Sequence, residues 1–178
     1  MNADLGAGND SFSSSLNLTN DLDILAGGEL HLDVNGGSGN NTYAILGSGA
    51  GGPATLNNGL FDIRLKGGPQ VDNMNVNLTG GGFAMNGTLR LQADGGAGND
   101  VLAVALDVDA SSPAPQLELS LTGGAGNDTV GVTINNAGPN TAASYGSAGM
   151  VLLDGGAGSL DHCAASGNGI VHKRNCEL

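Results

Sequence analysis

The chain is poor in the residues that most proteins use to build a core or to bind nucleic acid. Aromatic residues make up 3% of its 178 residues, and tryptophan is absent. A core of large rings is therefore excluded, so small aliphatic side chains must be buried many times in equivalent places, as in repeat proteins. Only 5 residues are Lys or Arg, against 17 Asp or Glu, and the formal charge is -12. This balance argues against binding to phosphate backbones or anionic membranes and favours cations as partners.

Long apolar segments and cysteines are also scarce. No segment reaches the roughly 18 consecutive apolar residues of a membrane helix, and the first residues lack the charged and apolar regions of a signal peptide. Met1 begins within a repeat, so we expect the sequence to be part of a longer exported chain. The two cysteines, Cys163 and Cys176, lie close to the C-terminus. In a secreted or cell-surface protein such a pair predicts a local disulfide, with two free thiols as the alternative.

Glycine is abundant, with 33 residues, and it marks an internal repeat. A turn of the type Gly-Gly-Ala-Gly-Asn-Asp recurs every 28 to 32 residues along the chain. A fixed period of this length is typical of a solenoid, in which each repeat forms one coil and packs on its neighbours. The glycine that opens the Gly-Ala-Gly-Asn-Asp part of each turn is taken as the anchor of its coil. The anchors are Gly6, Gly37, Gly68, Gly96, Gly124 and Gly156.

Apolar and polar residues alternate on both sides of each anchor. Leu117, Leu119 and Leu121 precede Gly124, for example, and Val130 follows it in the same alternation. A period of two predicts strands with one buried face. We therefore predict an all-β parallel β-solenoid of about six coils over residues 1–155, closed by a capping coil over residues 156–178. Weaker runs predict a third side of the coil: Leu22 with Ile24, Ala54 with Leu56, and Phe83 with Met85.

The basic residues test this alignment independently, because they were not used to find it. In a parallel stack, residues at equal offsets from their anchors are neighbours about 4.8 Å apart, where opposite charges attract. Each base outside the C-terminal tail falls beside an acid of an adjacent coil. The predicted neighbours are Arg90 with Asp62 and Glu118, Arg64 with Asp33, and Lys66 with Asp94.

The Asp that ends each turn is the residue with metal-binding chemistry. Stacking would place Asp72, Asp100 and Asp128 in one column, with Asp10 and Asp161 towards its two ends. Two carboxylates about 4.8 Å apart repel by roughly 1 kcal/mol in bulk water and roughly 3–4 kcal/mol at an effective dielectric near 20. Carboxylate and carbonyl oxygens without thiolate or imidazole are hard ligands that suit calcium. The column therefore predicts bound calcium ions.

The turn sequences resemble those of the repeats-in-toxin family. Residues 95–103 read Gly-Gly-Ala-Gly-Asn-Asp-Val-Leu-Ala, and residues 123–131 read Gly-Gly-Ala-Gly-Asn-Asp-Thr-Val-Gly. Both match that family's nonapeptide Gly-Gly-x-Gly-x-Asp-x-U-x, in which U is apolar and calcium is bound between successive turns. The family repeats this unit in tandem, whereas here it occurs once per coil. The resemblance therefore implies a single row of calcium ions along one edge.

The resemblance also implies which groups bind the ions. Asp100 and Asp128 are the strongest candidates, followed by Asp72, Asp10 and Asp161. The alternative is a metal-free ladder in which Asp and Asn side chains cap backbone donors, and Asn41, which replaces Asp in its turn, favours that alternative locally. In the calcium-bound case, the coordination sphere of each ion would be completed by backbone carbonyls, those of Gly96, Gly98, Gly124 and Gly126.

Three classes of function are compatible with such a solenoid. The first is a secreted structural or adhesive module of a surface layer, filament or adhesin, which calcium stiffens outside the cell. The second is binding of ice or carbohydrate, which is weakened because Ala97 and Ala125 occupy the turn position where Thr is expected. The third, a polysaccharide-active enzyme, ranks last because it needs a cleft with bases and acids, whereas the three bases of the coils already face acids; His31, His162 and His172 also share no offset that would form a catalytic group. We therefore expect no enzymatic activity, no nucleic acid, and self-association or further coils at the N-terminal end.

Overall fold

The structure is a computed structural model that describes residues 1–17, 23–48, 54–108, 116–136, 150–167 and 171–177. The described residues form strands joined by turns, with no helix. The strands are β1 (Asn2–Asp4), β2 (Ser11–Asn17), β3 (Asp23–Ile24), β4 (Glu29–Asn35), β5 (Thr42–Ser48), β6 (Ala54–Gly68), β7 (Asn73–Ala97), β8 (Val101–Val108), β9 (Gln116–Ala125), β10 (Thr129–Asn136), β11 (Met150–Gly156), β12 (His162–Gly167) and β13 (Val171–Arg174).

Strand pairing confirms the predicted parallel β-solenoid. One side of the stack runs β1-β4-β6-β7-β9-β11-β13 and carries the strands that precede each turn. A second side runs β2-β5-β7-β8-β10-β12 and carries the strands that follow each turn. Each of these pairs is parallel, and all except β11-β13 join residues about one repeat apart. The structure shows about four turns, fewer than the expected six.

The alternating apolar residues form one continuous core along the inside of the coil. In β9, Leu117, Leu119 and Leu121 are fully buried, and Val130 and Val132 of β10 face them from the second side. Each leucine pairs in register with its counterparts in the adjacent coils, which are mostly aliphatic, with Phe61 in the column of Leu117. Burial of such a side chain contributes about 1.5–3 kcal/mol, and the repetition replaces the missing aromatic core.

The predicted third side is present where the structure describes it. Ile24, Ala54 and Leu56 are buried, and β3 pairs with β6 through Asp23 and Ile24. The backbone of β6 pairs there with β7 at residues 83–86. Of the weaker runs named above, Leu22 lies outside the described residues.

The register of the basic residues is confirmed, with one change of partner. Arg90 lies between Asp62 and Glu118, and its Nε donates to Glu118 at 2.7 Å. Arg64 lies beside Asp33 as predicted, but its guanidinium donates to Asp62, two residues before it in its own strand, at 2.8 Å. Asp62 is 1% exposed and Arg64 is half exposed. The guanidinium therefore binds the buried carboxylate, whose desolvation makes a partner more valuable than at the surface.

Two glycines in each intact turn are required by the closeness of the coils. Gly124 has φ 111°, and a Cβ on it would lie 2.0 Å from the carbonyl oxygen of Gly96 in the adjacent turn. Gly126 has φ 146°, and its Cβ would lie 1.6 Å from the oxygen of Gly98. Glycine is thus needed here both for positive φ and for the close approach of two backbones.

The C-terminal residues fold back over the last coil. Strand β13 pairs with β11, and a disulfide joins Cys163 to Cys176 with their Cα atoms 5.6 Å apart, which confirms the predicted bridge. The Nε atom of Arg174 donates to Asp154 at 3.0 Å, and the ammonium of Lys173 donates to the carbonyl of Cys163 at 2.8 Å. The guanidinium of Arg174 is the main reason why the pKa of Asp154 lies below its usual value.

Candidate functional site

The Asp residues of the turns form one buried column, as predicted. Asp72, Asp100, Asp128 and Asp161 are each at most 1% exposed. In each of them Oδ1 accepts the backbone N–H of the equivalent residue one coil earlier, at 2.7–2.8 Å. These bonds hold every carboxylate under its own turn and bond it to the turn before. The column is therefore a continuous ladder that joins the coils at one edge.

The second carboxylate oxygen of most rungs has no hydrogen-bond partner. The Oδ2 atoms of Asp100, Asp128 and Asp161 are buried and unpartnered, and so is that of Asp10. A buried polar atom without a partner is uncommon in folded proteins, and an unmatched carboxylate oxygen is costly. The unpartnered oxygens of Asp100, Asp128 and Asp161 lie at the same position in successive coils. We call these three residues the carboxylate row, which has no compensating positive charge among the described residues.

Asp72 differs from this row because its turn is altered. Its Oδ2 accepts the backbone N–H of Gly68 at 2.7 Å, so both of its oxygens are bonded. Gly68 precedes Pro69 and is not among the described residues with positive φ, unlike Gly96 and Gly124 in the intact turns. A proline restricts the residue before it to extended conformations, which directs the Gly68 N–H at the carboxylate.

The row ends at Asn41, where neutral groups fill the turn. The amide of Asn41 donates to the carbonyl of Gly39 at 2.9 Å, and the hydroxyl of Tyr43 lies under the same turn and donates to the carbonyl of Lys66 at 2.8 Å. A Cβ built on Gly36 would contact both the Tyr43 hydroxyl and the Asn41 amide. This rung is therefore neutral and hydrogen bonded within itself, as the metal-free ladder predicts.

Burial raises the pKa of two carboxylates in the row. The pKa of Asp100 is raised to about 6, mainly by desolvation and also by the carboxylates of Asp128 and Asp72, against the opposing effect of the hydrogen bond from the Asp72 N–H. The pKa of Asp128 is also raised, mainly by burial and then by Asp161. Charged carboxylates in this row are thus destabilising in the absence of a counter-charge.

The glycine carbonyls named as further ligands lie in the same turns. The carbonyl of Gly124 accepts the N–H of Ala157 at 2.5 Å, and Gly96 and Gly124 pair in register. The carbonyls of Gly96 and Gly98 point along the stack towards Gly124 and Gly126. They line the edge of the carboxylate column, and a carbonyl bonded once to an N–H keeps a second lone pair.

No group of three or more His, Cys, Asp or Glu side chains comes together for a metal ion in the described ranges. A cation in the row would therefore be bound by carboxylates of one or two turns together with backbone carbonyls. This mixture of oxygen ligands is the kind that Ca²⁺ accepts, whereas Zn²⁺ selects nitrogen and sulfur. The unpartnered oxygens and the chemistry of the donors both fit calcium.

A second ladder runs along the outside of the turns. Asn9 accepts the backbone N–H of Asn40 at 2.9 Å, and Asn99 accepts that of Asn127 at 2.9 Å. The Oδ1 atoms of these exposed Asn side chains therefore join adjacent coils.

Sequence reasoning missed the group that ends the carboxylate column. The side chain of Glu177 accepts the N–H of Asp161 at 2.6 Å, so it occupies the place that an Asp of a further coil would take. Its spacing of 16 residues from Asp161 follows no repeat, and no turn motif surrounds it. The only indication in the sequence is that an acidic residue, Glu177, directly follows the second cysteine, Cys176.

The side chain of His31 was also given no partner by the sequence. Its ring nitrogens lie 2.9 Å from Glu29 and 3.2 Å from Asp62, and the bond to Glu29 is the main reason that its pKa is raised. Outside the turns, Asp107 in β8 accepts the amide of Asn135 at 2.9 Å.

Comparison with known proteins adds no relative: no protein-family model, no curated protein and no solved structure matches the chain. The likeness to repeats-in-toxin turns therefore rests on the turn sequences alone. Within the described residues, no helix is long and apolar enough to cross a membrane.

Proposed function

We propose that this chain is a secreted, calcium-stabilised β-solenoid that serves as a structural or adhesive module of a surface layer, filament or adhesin. The observation that carries the proposal is the row of buried carboxylates at Asp100, Asp128 and Asp161, whose second oxygens have no partner. A divalent cation would neutralise this row and use those oxygens as ligands.

The ligand assignment follows from the state of each rung. Asp100 and Asp128 remain the principal ligands, with Asp161 beside them, because each has one free buried oxygen. Asp72 contributes less because both of its oxygens accept N–H groups. Asp10 has a free oxygen, but its neighbouring rung is the neutral Asn41, so it would bind an ion without a carboxylate from the next coil.

Secretion is supported by the disulfide together with the calcium requirement. Disulfides persist in oxidising compartments and are rare in the cytosol. Calcium is scarce inside cells and abundant outside, and a ligand that binds only the folded state stabilises it by mass action. Repulsion within the carboxylate row would then weaken the fold before export, and bound calcium would stabilise it afterwards.

A calcium titration of matched variants tests the proposal. Asp100→Ala and Asp128→Ala should each reduce calcium affinity about tenfold or more, because each removes a carboxylate from an intact turn. Asp107→Ala removes the same charge outside the column and should leave the affinity unchanged. Isothermal titration and circular dichroism measure both effects, and equal losses in all three variants would reject the assigned column.

A further inference from the structure

The two broad sides of the solenoid differ sharply in charge. The outer surface of the side that precedes each turn carries His31, Asp33, Arg64 and further ions in register. The outer surface of the other side, formed by β2, β5, the start of β7, β8, β10 and β12, has three adjacent columns of small, mostly neutral residues, with Asp107 of β8 beyond them. Its central column is Ser13, Ala44, Asn75, Ala103, Gly131 and Ala164. The two columns beside it hold Ser, Thr, Asn, Ala, Val and Leu, with His162 as the one exception. We call this surface the neutral face.

The neutral face has a knob and a hollow. Leu46 in β5 projects from it with 43% of its surface exposed. A shallow hollow of about 270 Å³ lies around Gly131 in β10, between Ala103, Thr133 and Ala164. The hollow exists because Gly131 has no side chain, and a Cβ there would meet nothing closer than 3.9 Å.

The knob and the hollow are related by the symmetry of the face. From the N-terminal end, β5 is the second strand of the face, and β10 is the second from the other end. A two-fold axis lying in the plane of contact and parallel to the strands reverses the order of the strands and keeps each column opposite itself. Such an axis places Leu46 opposite Thr133, at the rim of the hollow beside Gly131. Because the relation is mutual, both knobs meet hollows at once, as an isologous contact requires.

We propose that a second copy of this chain binds to the neutral face, antiparallel to the first, with Leu46 of each copy entering the hollow beside Gly131 of the other. The net charge of -12 repels a second copy, but the three columns of the neutral face bring no acid of one copy against an acid of the other. The strand spacing and rise give the face roughly 600 Å². Two faces would therefore bury about 1,200 Å², the lower end of the range of stable interfaces.

Small side chains allow the two sheets to approach closely. Columns of Ser, Ala and Asn can interdigitate in a dry contact of the kind seen between stacked sheets of identical strands. The face lacks the aromatic and Arg residues that anchor tight complexes, so a dissociation constant on the order of micromolar is expected. This inference does not rest on calcium binding, and it gives the structural module a lateral contact between rods.

Sedimentation velocity of the full chain, over a range of concentrations and with calcium present or chelated, tests the proposal. Wild type should dimerise, Leu46→Ala should weaken the dimer about tenfold, and Gly131→Leu should abolish it by filling the hollow. Leu25→Ala is the matched control, because Leu25 is similarly exposed outside the neutral face. It should dimerise like wild type.

A second blocking variant, checked for folding by circular dichroism, and a salt titration distinguish loss of the contact from a folding defect. Ala103→Arg should also abolish the dimer, and circular dichroism establishes that each variant keeps its strands. Raising NaCl to about 0.3 M should strengthen association, because the contact contains no ion pair and salt screens the repulsion between copies. A wild type that stays monomeric, or a dimer unaffected by Leu46→Ala and both blocking variants, would overturn the proposal. Thermal hysteresis or binding to a neutral polysaccharide that Gly131→Leu abolishes in a monomeric wild type would assign the face to that ligand instead.

Discussion

Replacing Asp128 by Asn should change stability in opposite directions with and without calcium. The amide keeps an oxygen to accept the N–H of Asp100, and its Nδ2 can donate within its own turn, as that of Asn41 does to Gly39. The fold is therefore preserved while one charge is removed from the middle of the row. Asp128 has carboxylates on both sides, in Asp100 and Asp161.

The magnitude follows from the spacing of the coils. Each neighbouring carboxylate about 4.8 Å away repels that of Asp128 by about 1 kcal/mol in water and about 3 kcal/mol at a dielectric near 20. Allowing for the donors that the amide must satisfy, Asp128→Asn should gain about 2 kcal/mol in chelator near pH 8. For a chain of this size the gain raises Tm by about 4–8 °C. In excess calcium the same variant loses a ligand and should melt below wild type.

Thermal melts followed by circular dichroism measure both arms. Asp107→Asn is the control, because it removes the same charge from a residue outside the column. It should change Tm by little and by the same amount with and without calcium. If Asp128→Asn destabilises the protein equally in both conditions, the carboxylate is a structural cap and the repulsion argument is wrong.

Three further predictions concern pH, the cap and the turn. In chelator, stability should rise as pH falls from about 7 to about 4, because the pKa of Asp100 is about 6 in the folded chain against 3.8 in the unfolded one, so the folded state binds the extra proton. The gain in the free energy of unfolding from this residue is at most about 3 kcal/mol. Urea unfolding that shows stability falling over this range would contradict the prediction. Mass spectrometry should find Cys163 bridged to Cys176. Replacing both by Ser should lower the free energy of unfolding by about 3 kcal/mol and increase self-association through the freed strand edge. A double variant that stays monomeric with unaltered stability would show that the C-terminal segment is not a cap. Gly126→Ala should destabilise the fold by more than about 3 kcal/mol or prevent folding, because its Cβ would overlap the carbonyl of Gly98. A variant that unfolds at the same urea concentration as wild type would show that the coils are farther apart than described.

The fold was predictable because its signals repeat. The alternation around each anchor and the opposite charges at Asp62, Arg90 and Glu118 gave the same register, and strand pairing confirms it. The column of turn carboxylates followed from that register without any side-chain detail. Regular stacking turns one correct alignment into many correct contacts.

Individual side chains were less predictable because each has a choice of local partners. Arg64 binds Asp62 in its own strand, since the buried carboxylate offers more than the exposed one across the coil. Asp72 is bonded twice because Pro69 alters the turn before it, a consequence of backbone conformation that spacing does not show. The position of Tyr43 under a turn likewise depends on packing across the core.

The end of the ladder and the number of turns show the same limit. Glu177 completes the column from a chain direction that no repeat specifies. Counting anchors suggested about six coils, whereas about four turns are seen, so a turn motif alone does not count complete turns.

The central claim is that cations neutralise the carboxylate row, and elemental analysis of the dialysed protein tests it most directly. Wild type should retain calcium through dialysis against metal-free buffer. A variant with Asn in place of Asp100, Asp128 and Asp161 should retain none, while its circular dichroism remains that of a β-solenoid. Calcium absent from wild type, together with melting curves that superimpose with and without chelator, would contradict the account and leave the column as a metal-free ladder.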